Sequence, residues 1–347
     1  MKIDILFKKA VEKNASDLHL VVGKPPILRI DGVLTPIEGE VPLTEKAGLD
    51  LIYSLMTDKQ RQAYDTDREM DLSWSIDGGN RFRVNCHWEK GFPGLVARII
   101  SPRIPSLEEL SMPSVVYDLM RLKQGLILLT GPTGSGKSTS LAAMIELVNT
   151  ERAEHIVTLE DPVEFIYMPK KSIIKQRQLG TDMNSFAQAL KHVLRQDPNV
   201  ILVGEMRDLE TIAATITLAE TGHLVLATLH TFNAAQTVDR IIDVFPPYQQ
   251  NQVRLQLSLF LKGVISQQLL PRKGGGRIAS REIMINTPAI ANLVRENKVA
   301  QIKTVIQTSA HEGMTTMDQD LKRLYDAGEV EKEMAQLYMM NPEALDQ

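Results

Sequence analysis

Nine consecutive residues constrain this chain more than any others: Gly131-Pro132-Thr133-Gly134-Ser135-Gly136-Lys137-Ser138-Thr139. They complete a GxxxxGK[ST] pattern, preceded by an apolar run at 126–129 and followed by a helical pattern over 139–148. A strand that turns through glycines into a helix aims backbone N–H groups inward, and the helix N-terminus adds a dipole that favours anions. This is the context a phosphate-binding loop requires. In such a loop Lys137 reaches the β- and γ-phosphates of a nucleotide, and the Ser138 hydroxyl ligates Mg²⁺.

The surrounding pattern predicts the fold class. Short apolar runs at 126–129, 156–159, 200–203 and 224–229 read as strands. Helical patterns separate them: 139–148; Phe186, Leu190, Val193 and Leu194, ended by Pro198; and Leu209, Ile212, Ile216 and Ala219, ended by Gly222. Continuous apolar strands alternating with helices predict an α/β domain whose parallel sheet is covered on both faces. Residues 249–270 read as one long helix, 271–285 as a hairpin around Gly274-Gly275-Gly276, and the last 60 or so as helical. The first hundred residues differ. Strand-like runs at 26–30 (followed by Asp31-Gly32), 81–84 (preceded by Asp77-Gly78-Gly79-Asn80) and 95–100 join an opening helix with Ile5, Leu6, Ala10 and Val11 on one side. They predict a smaller α+β domain. Between the two textures, 101–113 holds Pro102, Pro105 and Pro113 around Ser106-Leu107-Glu108-Glu109, a stiff connection with one helical turn. The expected domains are 1–100 and 114–347, joined by a linker at 101–113.

Ligands of open α/β sheets gather at the carboxyl ends of the strands. Three carboxylates, Glu160, Asp161 and Glu164, follow one predicted strand; Glu205 follows another through Gly204; His230 follows a third. Nucleoside triphosphate hydrolysis needs a Mg²⁺ ligand, a carboxylate for the attacking water and a group that senses the γ-phosphate. These residue types fit those roles, and the phosphate loop would share their crevice. Blander readings exist: Glu160 and Asp161 as caps, Asp208 as the N-cap of 209–220, and His230 as a structural residue. His223 and His230, taken as seven apart on one strand, fall on opposite faces and form no joint metal site.

Composition narrows the function classes. Of 347 residues, 43% are hydrophobic and 24% charged, which excludes a disordered chain. One cysteine, Cys86, permits neither an intrachain disulfide nor a four-cysteine zinc site, and reads as a small core residue. Lys2, Asp4, Lys8, Lys9, Glu12 and Lys13 interrupt any signal-peptide core. The longest stretch without Asp, Glu, Lys or Arg, 221–238, is too polar for a membrane span. A cytoplasmic protein without direct membrane insertion is expected. A net charge of −4 and 5% aromatics speak against a nucleic-acid partner.

Four segments together resemble the secretion ATPases: the phosphate loop (their Walker A), Thr158-Leu159-Glu160-Asp161-Pro162-Val163-Glu164-Phe165 (Asp box), Val203-Gly204-Glu205-Met206-Arg207-Asp208 (Walker B) and 221–231, ending Leu229-His230-Thr231 (His box). Ala15-Ser16-Asp17-Leu18-His19-Leu20 is also similar. The resemblance spans nearly the whole chain and is strongest to the type IV pilus retraction ATPases. It implies a PAS-like N-terminal domain, a RecA-like ATPase domain and a ring-shaped homohexamer that binds ATP and Mg²⁺. It makes Glu164 the catalytic carboxylate, Glu205 the Walker B acid near Mg²⁺ and His230 a γ-phosphate contact. Arg81, Arg83 and Arg98 resemble the family's N-domain arginines that reach the nucleotide. The implied partners are the pilus platform protein at the inner membrane and other pilus ATPases, a peripheral location. Extension-type relatives carry an extra N-terminal region and a four-cysteine zinc module, which favours a retraction-type motor here. The family's retraction motif stands as Ala289-Ile290-Ala291-Asn292-Leu293-Val294-Arg295-Glu296, with Ala291 where the family has arginine. That departure keeps a second reading open, an accessory or regulatory paralogue that modulates a partner motor. A nucleic-acid translocase is a third, opposed by the acidic balance.

Overall fold

Asp17-Leu18-His19-Leu20 alternates polar with apolar residues, and this period of two sets the first sheet of the structure, a computed structural model describing residues 2–30, 32–77, 79–100 and 103–345. The chain divides into two units, Met1–Arg103 with Pro162–Ile166, and Ile104–Asp161 with Tyr167–Gln347. Asp31 and Gly78, expected in turns, and Ser101 and Pro102, expected in the connection, lie outside the described residues.

The first unit has strands β1 (Asp17–Val21), β2 (Ile27–Ile30), β3 (Val33–Pro36), β4 (Glu69–Ser75), β5 (Arg81–Glu89) and β6 (Phe92–Ile100). They form an antiparallel sheet in the order β3-β2-β1-β6-β5-β4. Leu18, Leu20, Leu28, Phe82, Val84, Cys86, Leu95 and Ala97 point to one face and meet Leu6 and Phe7 of helix Ile3–Glu12, Leu51 and Ile52 of Glu45–Tyr53, and Tyr64 of Asp58–Asp67. This is the α+β arrangement expected. The opening helix is turned from the expected orientation: Ile3, Leu6, Phe7 and Ala10 are buried, whereas Ile5 is 48% exposed. The i, i+3, i+4, i+7 spacing through Phe7 sets the buried stripe. Burial pushes the Cys86 thiol up to about 12, so it is an inert core group.

Phe7 and Phe82 stack with ring centroids 4.2 Å apart, both fully buried. Phe82→Ala is expected to cost about 3–5 kcal/mol through lost transfer energy and a residual cavity. Both tryptophans of the chain, Trp74 and Trp88, lie in this unit. A denaturation curve followed by tryptophan fluorescence therefore reads it selectively, and an unchanged midpoint would refute the estimate.

The second unit has strands β7 (Gly125–Thr130), β8 (His155–Glu160), β9 (Ile173–Gln178), β10 (Val200–Val203), β11 (Leu224–Leu229), β12 (Leu261–Pro271) and β13 (Arg277–Ile285). Their order is β13-β12-β7-β11-β10-β8-β9; all neighbours are parallel except the β12–β13 pair. Strands β7, β10 and β11 are buried at every residue, as a sheet covered on both faces demands. Helix Lys137–Glu151 buries Leu141, Met144, Ile145 and Val148. Helix Leu209–Glu220 starts on Asp208, whose carboxylate accepts from Thr211 N at 2.8 Å, so the capping reading of Asp208 holds.

One expectation fails here. Residues 249–270 are not one helix: helix Pro247–Phe260 ends and strand β12 begins at Leu261. The β-branched pair Val264-Ile265 favours extended backbone, and the strand fills the place beside β7, where Ser266 pairs with Thr130. Apolar content alone does not separate a buried strand from a buried helix. The hairpin is real, but its first strand is this misassigned segment. His223 and His230 also stand differently from the expectation: each lies just outside β11, at opposite ends. Residues 106–111 form the expected helical turn. Glu109 N donates to Ser106 Oγ at 3.1 Å and Ser106 N to Glu109 Oε2 at 2.8 Å, with Leu107 and Met112 buried in the second unit. Among the described residues, no helix is long and apolar enough to cross a membrane.

Candidate functional site

The chain leaves β7 toward β8 on one side and, after β11, returns past β7 to form β12 on the other. Adjacent strands β7 and β11 thus send their connections in opposite directions, which opens a crevice at their carboxyl ends. Register puts Thr130 beside Leu229 and Val203 beside Ala227 and Leu159. The loop Gly131–Thr139, His230, Glu205 and Glu160 therefore emerge along one edge of the sheet.

The loop is built for a polyanion. Gly131, Gly134 and Gly136 have φ of 142°, 81° and 85°, values that suit glycine. Helix Lys137–Glu151 begins at the loop, and the first N–H groups of any helix lack intrahelical partners. The Lys137 ammonium curls over the loop, donating to Gly131 O at 2.6 Å and Pro132 O at 3.0 Å. Ser135 Oγ is buried with no hydrogen-bond partner, an uncommon condition that a bound phosphate would relieve. Ser138 is exposed at the second helical position. A hydroxyl and a carboxylate, Ser138 and Glu205, are the hard oxygen donors Mg²⁺ takes.

Glu205 is held on two sides. Arg207 Nη2 lies 2.6 Å from Oε1, and His230 Nε2 lies 3.4 Å from Oε2. Its backbone is fixed from β11: Thr228 Oγ1 donates to Gly204 O, and Met206 N donates to Thr228 O at 3.1 Å. At the end of β8, Glu160 accepts from Thr158 Oγ1 at 2.5 Å and Gln176 Nε2 at 3.2 Å.

The other expected site residues belong to the first unit. Glu164 lies in Pro162–Ile166. Arg81 and Arg83 alternate along β5, and Arg83 stands opposite Arg98 of β6, so all three arginines share the face away from the apolar core. Arg98 Nε donates to the buried carboxylate of Asp17 at 2.8 Å. Burial alone would raise the Asp17 carboxyl; hydrogen bonds from Ser16 and Arg98 outweigh it and hold the group below its usual range. Sequence reasoning gave no role to Arg207, Thr228 or Gln267. Arg207 and Thr228 lie within recognised motifs, whereas Gln267 sat in the misassigned helix.

The comparisons extend this geometry to the whole chain. The family model described as "Type II/IV secretion system protein" matches residues 1–345. The chain is 47% identical to the type IV pilus retraction ATPase PilT of Pseudomonas aeruginosa over 343 residues, 99% of each chain. It is 41% identical to the type IV pilus ATPase PilU of the same organism, covering 96% of this chain and 88% of that one. A crystal structure of the pilus retraction motor PilT with bound ADP superposes with a TM-score of 0.93 at 44% identity, covering 100% and 99% of the two chains. With its phosphate loop at the end of β7, a RecA-like sheet and an α+β N-terminal domain, the chain belongs to the type II/IV secretion system protein family, the secretion ATPases.

Proposed function

We infer that this chain is a motor ATPase that hydrolyses ATP to drive type IV pilus retraction. The observation that carries this reading is the phosphate loop aligned in register with Glu205 and His230, in a chain similar over its full length to a PilT that binds ADP. The absence of an Asn-Lys-x-Asp guanine pattern favours ATP. Gly131, Pro132, Thr133, Gly134, Ser135, Gly136, Lys137, Ser138 and Thr139 hold the phosphates; Glu164 acts on the attacking water; His230 contacts the γ-phosphate side. Arg81, Arg83 and Arg98 supply positive charge for the transferring phosphoryl group. Ser138 and Glu205 would hold Mg²⁺, which when bound would supply positive charge to the phosphates. Domains at 1–100 and 114–347 joined by 101–113, a homohexameric ring, and a peripheral seat on the inner-membrane platform protein complete the proposal.

Ala291 favours a second reading, an accessory or regulatory paralogue that modulates a partner retraction motor. It lies on helix Pro288–Arg295, partly buried, beside the inward-facing Ile290 and Val294. One experiment separates the two. Pili are scored for retraction in cells whose own retraction ATPases are deleted and which carry this gene alone or its Ala291→Arg variant. Full retraction by the wild type establishes a competent motor and ends the accessory reading. Retraction by the variant only makes the accessory reading correct. Wild-type protein that hydrolyses no ATP with Mg²⁺ overturns the motor assignment.

A further inference from the structure

The loop rests on a buried polar network that reaches the connection at 106–112, and the network lies wholly in the second unit. Pairing of Ser266 with Thr130 (the two hydroxyls 2.8 Å apart) places the next residue of β12, Gln267, beside Gly131. The Gln267 side-chain amide donates through Nε2 to Ser135 O at 2.6 Å. Its Oε1 accepts from Ser140 Oγ at 2.9 Å and from Arg281 Nε at 3.1 Å. A carbonyl can only accept and a guanidinium can only donate, so a single orientation of the amide satisfies all three contacts. Gln267 and Arg281 are cross-strand partners in the β12–β13 hairpin.

Arg281 has the largest fully buried side chain among the described residues. Burial draws its guanidinium down to about 10, which leaves it charged at neutral pH. The fork divides its donors. Nε serves Gln267, while Nη2 donates to Leu110 O at 3.0 Å and Nη1 to Ser111 O at 3.3 Å. Those carbonyls close the turn that follows Ser106, where Ser111 takes a φ of 49°. The backbone of Arg281 is itself fixed, its N–H donating to Asp320 Oδ2 at 2.8 Å. Burying an arginine to ligate two carbonyls and one amide is expensive unless every contact is kept.

We propose that Gln267 and Arg281 are positioning residues of the nucleotide site: they hold Ser135 in the phosphate-binding conformation and transmit the state of the loop to the turn at 106–112. That turn is the stretch of the second unit that follows Arg103, the last residue of the first unit's leading segment. A change in the loop moves Ser135 O, the amide follows, and the rigid guanidinium carries the displacement to Leu110 and Ser111. The proposal rests on the loop's binding a nucleotide.

Gln267→Glu isolates the loop contact. A carboxylate still accepts from Ser140 and pairs more strongly with Arg281, but it has no donor for Ser135 O, so two acceptors face each other at 2.6 Å. ADP binding by the full-length variant is expected to weaken by roughly tenfold or more, because small misplacements of a loop are costly. KM for ATP rises in parallel and kcat stays within about twofold, while the unfolding midpoint without nucleotide falls by a few degrees as the buried acceptors repel, so binding is compared below the onset of unfolding. Arg281→Lys keeps the charge but has no fork to reach both ends. In hydrogen-exchange measurements, ADP is expected to slow exchange at 106–112 in the wild type and not in Arg281→Lys, with 131–139 protected in both. ADP affinity in Gln267→Glu equal to the wild type, or protection of 106–112 unchanged in Arg281→Lys, overturns the proposal. Wild-type protein that fails to bind ADP overturns the nucleotide reading, and this proposal falls with it.

Discussion

Glu164→Gln is expected to lower kcat for ATP hydrolysis by about 10²–10³-fold while ADP affinity stays within about threefold of the wild type. The substitution preserves volume and hydrogen-bonding reach but removes the only property the role demands, a negative charge able to orient or deprotonate water. Nothing about phosphate binding changes with it, since the loop, Lys137 and Ser138 belong to another segment. Glu205→Gln should differ in kind. Glu205 lies within reach of Arg207 and His230, at 2.6 and 3.4 Å, and neutralising it weakens the hold on both, and on the Mg²⁺ proposed to bind there. Steady-state turnover measured beside ADP binding separates the cases. Comparable turnover in Glu164→Gln and the wild type sinks the assignment of Glu164 as the carboxylate acting on water. If neither protein hydrolyses ATP although both bind ADP, the accessory reading becomes the better one.

How much could be read in advance follows from the range of the forces involved. Strands β10 and β11 were legible to the residue because each is a short, almost wholly apolar run between non-apolar residues (Asn199 and Gly204; His223 and His230), and the phosphate loop because its glycines and lysine act locally. Asp208 was legible as a cap for the same reason: its partner is Thr211, three residues on. Strand β12 was not. Its identity is decided by a vacant edge of the sheet beside β7, and nothing within 249–270 states that a neighbour is waiting. The opening helix shows the same limit more mildly. Ile5 is as apolar as Phe7, but Phe7 has Phe82 to stack on, from a strand more than seventy residues later. At the site, motif spacing named Glu205 and His230, whereas the fixing of Gly204 by Thr228 and of Ser135 by Gln267 depends on strand register. Residues that perform chemistry carry local signatures; residues that position them are recognised only once distant strands are aligned.

Gly131→Ala tests that dependence at the point where loop and sheet are closest. A Cβ on Gly131 would fall 2.2 Å from the backbone carbonyl oxygen of Gln267 and 2.8 Å from Ser135 Oγ. The serine hydroxyl can rotate, but the carbonyl belongs to β12, which is bonded to β7 on one side and β13 on the other. A φ of 142° adds backbone strain for any residue with a side chain. Together, overpacking and strain are expected to destabilise the second unit by about 2–5 kcal/mol. The loop is the softer partner, so it moves, and ADP binding is expected to fall by at least about 100-fold. Gly134→Ala is the control. Its φ of 81° carries a similar backbone penalty, but nothing lies within 4 Å of the added methyl. It should lose roughly 1–2 kcal/mol of stability, less than Gly131→Ala. Equal losses in the two variants would mean that glycine is needed at 131 for backbone freedom alone. A larger loss at 131 means that the approach of β12 sets the shape of the loop, so the strand hardest to read in the sequence is the one against which the phosphate site is moulded.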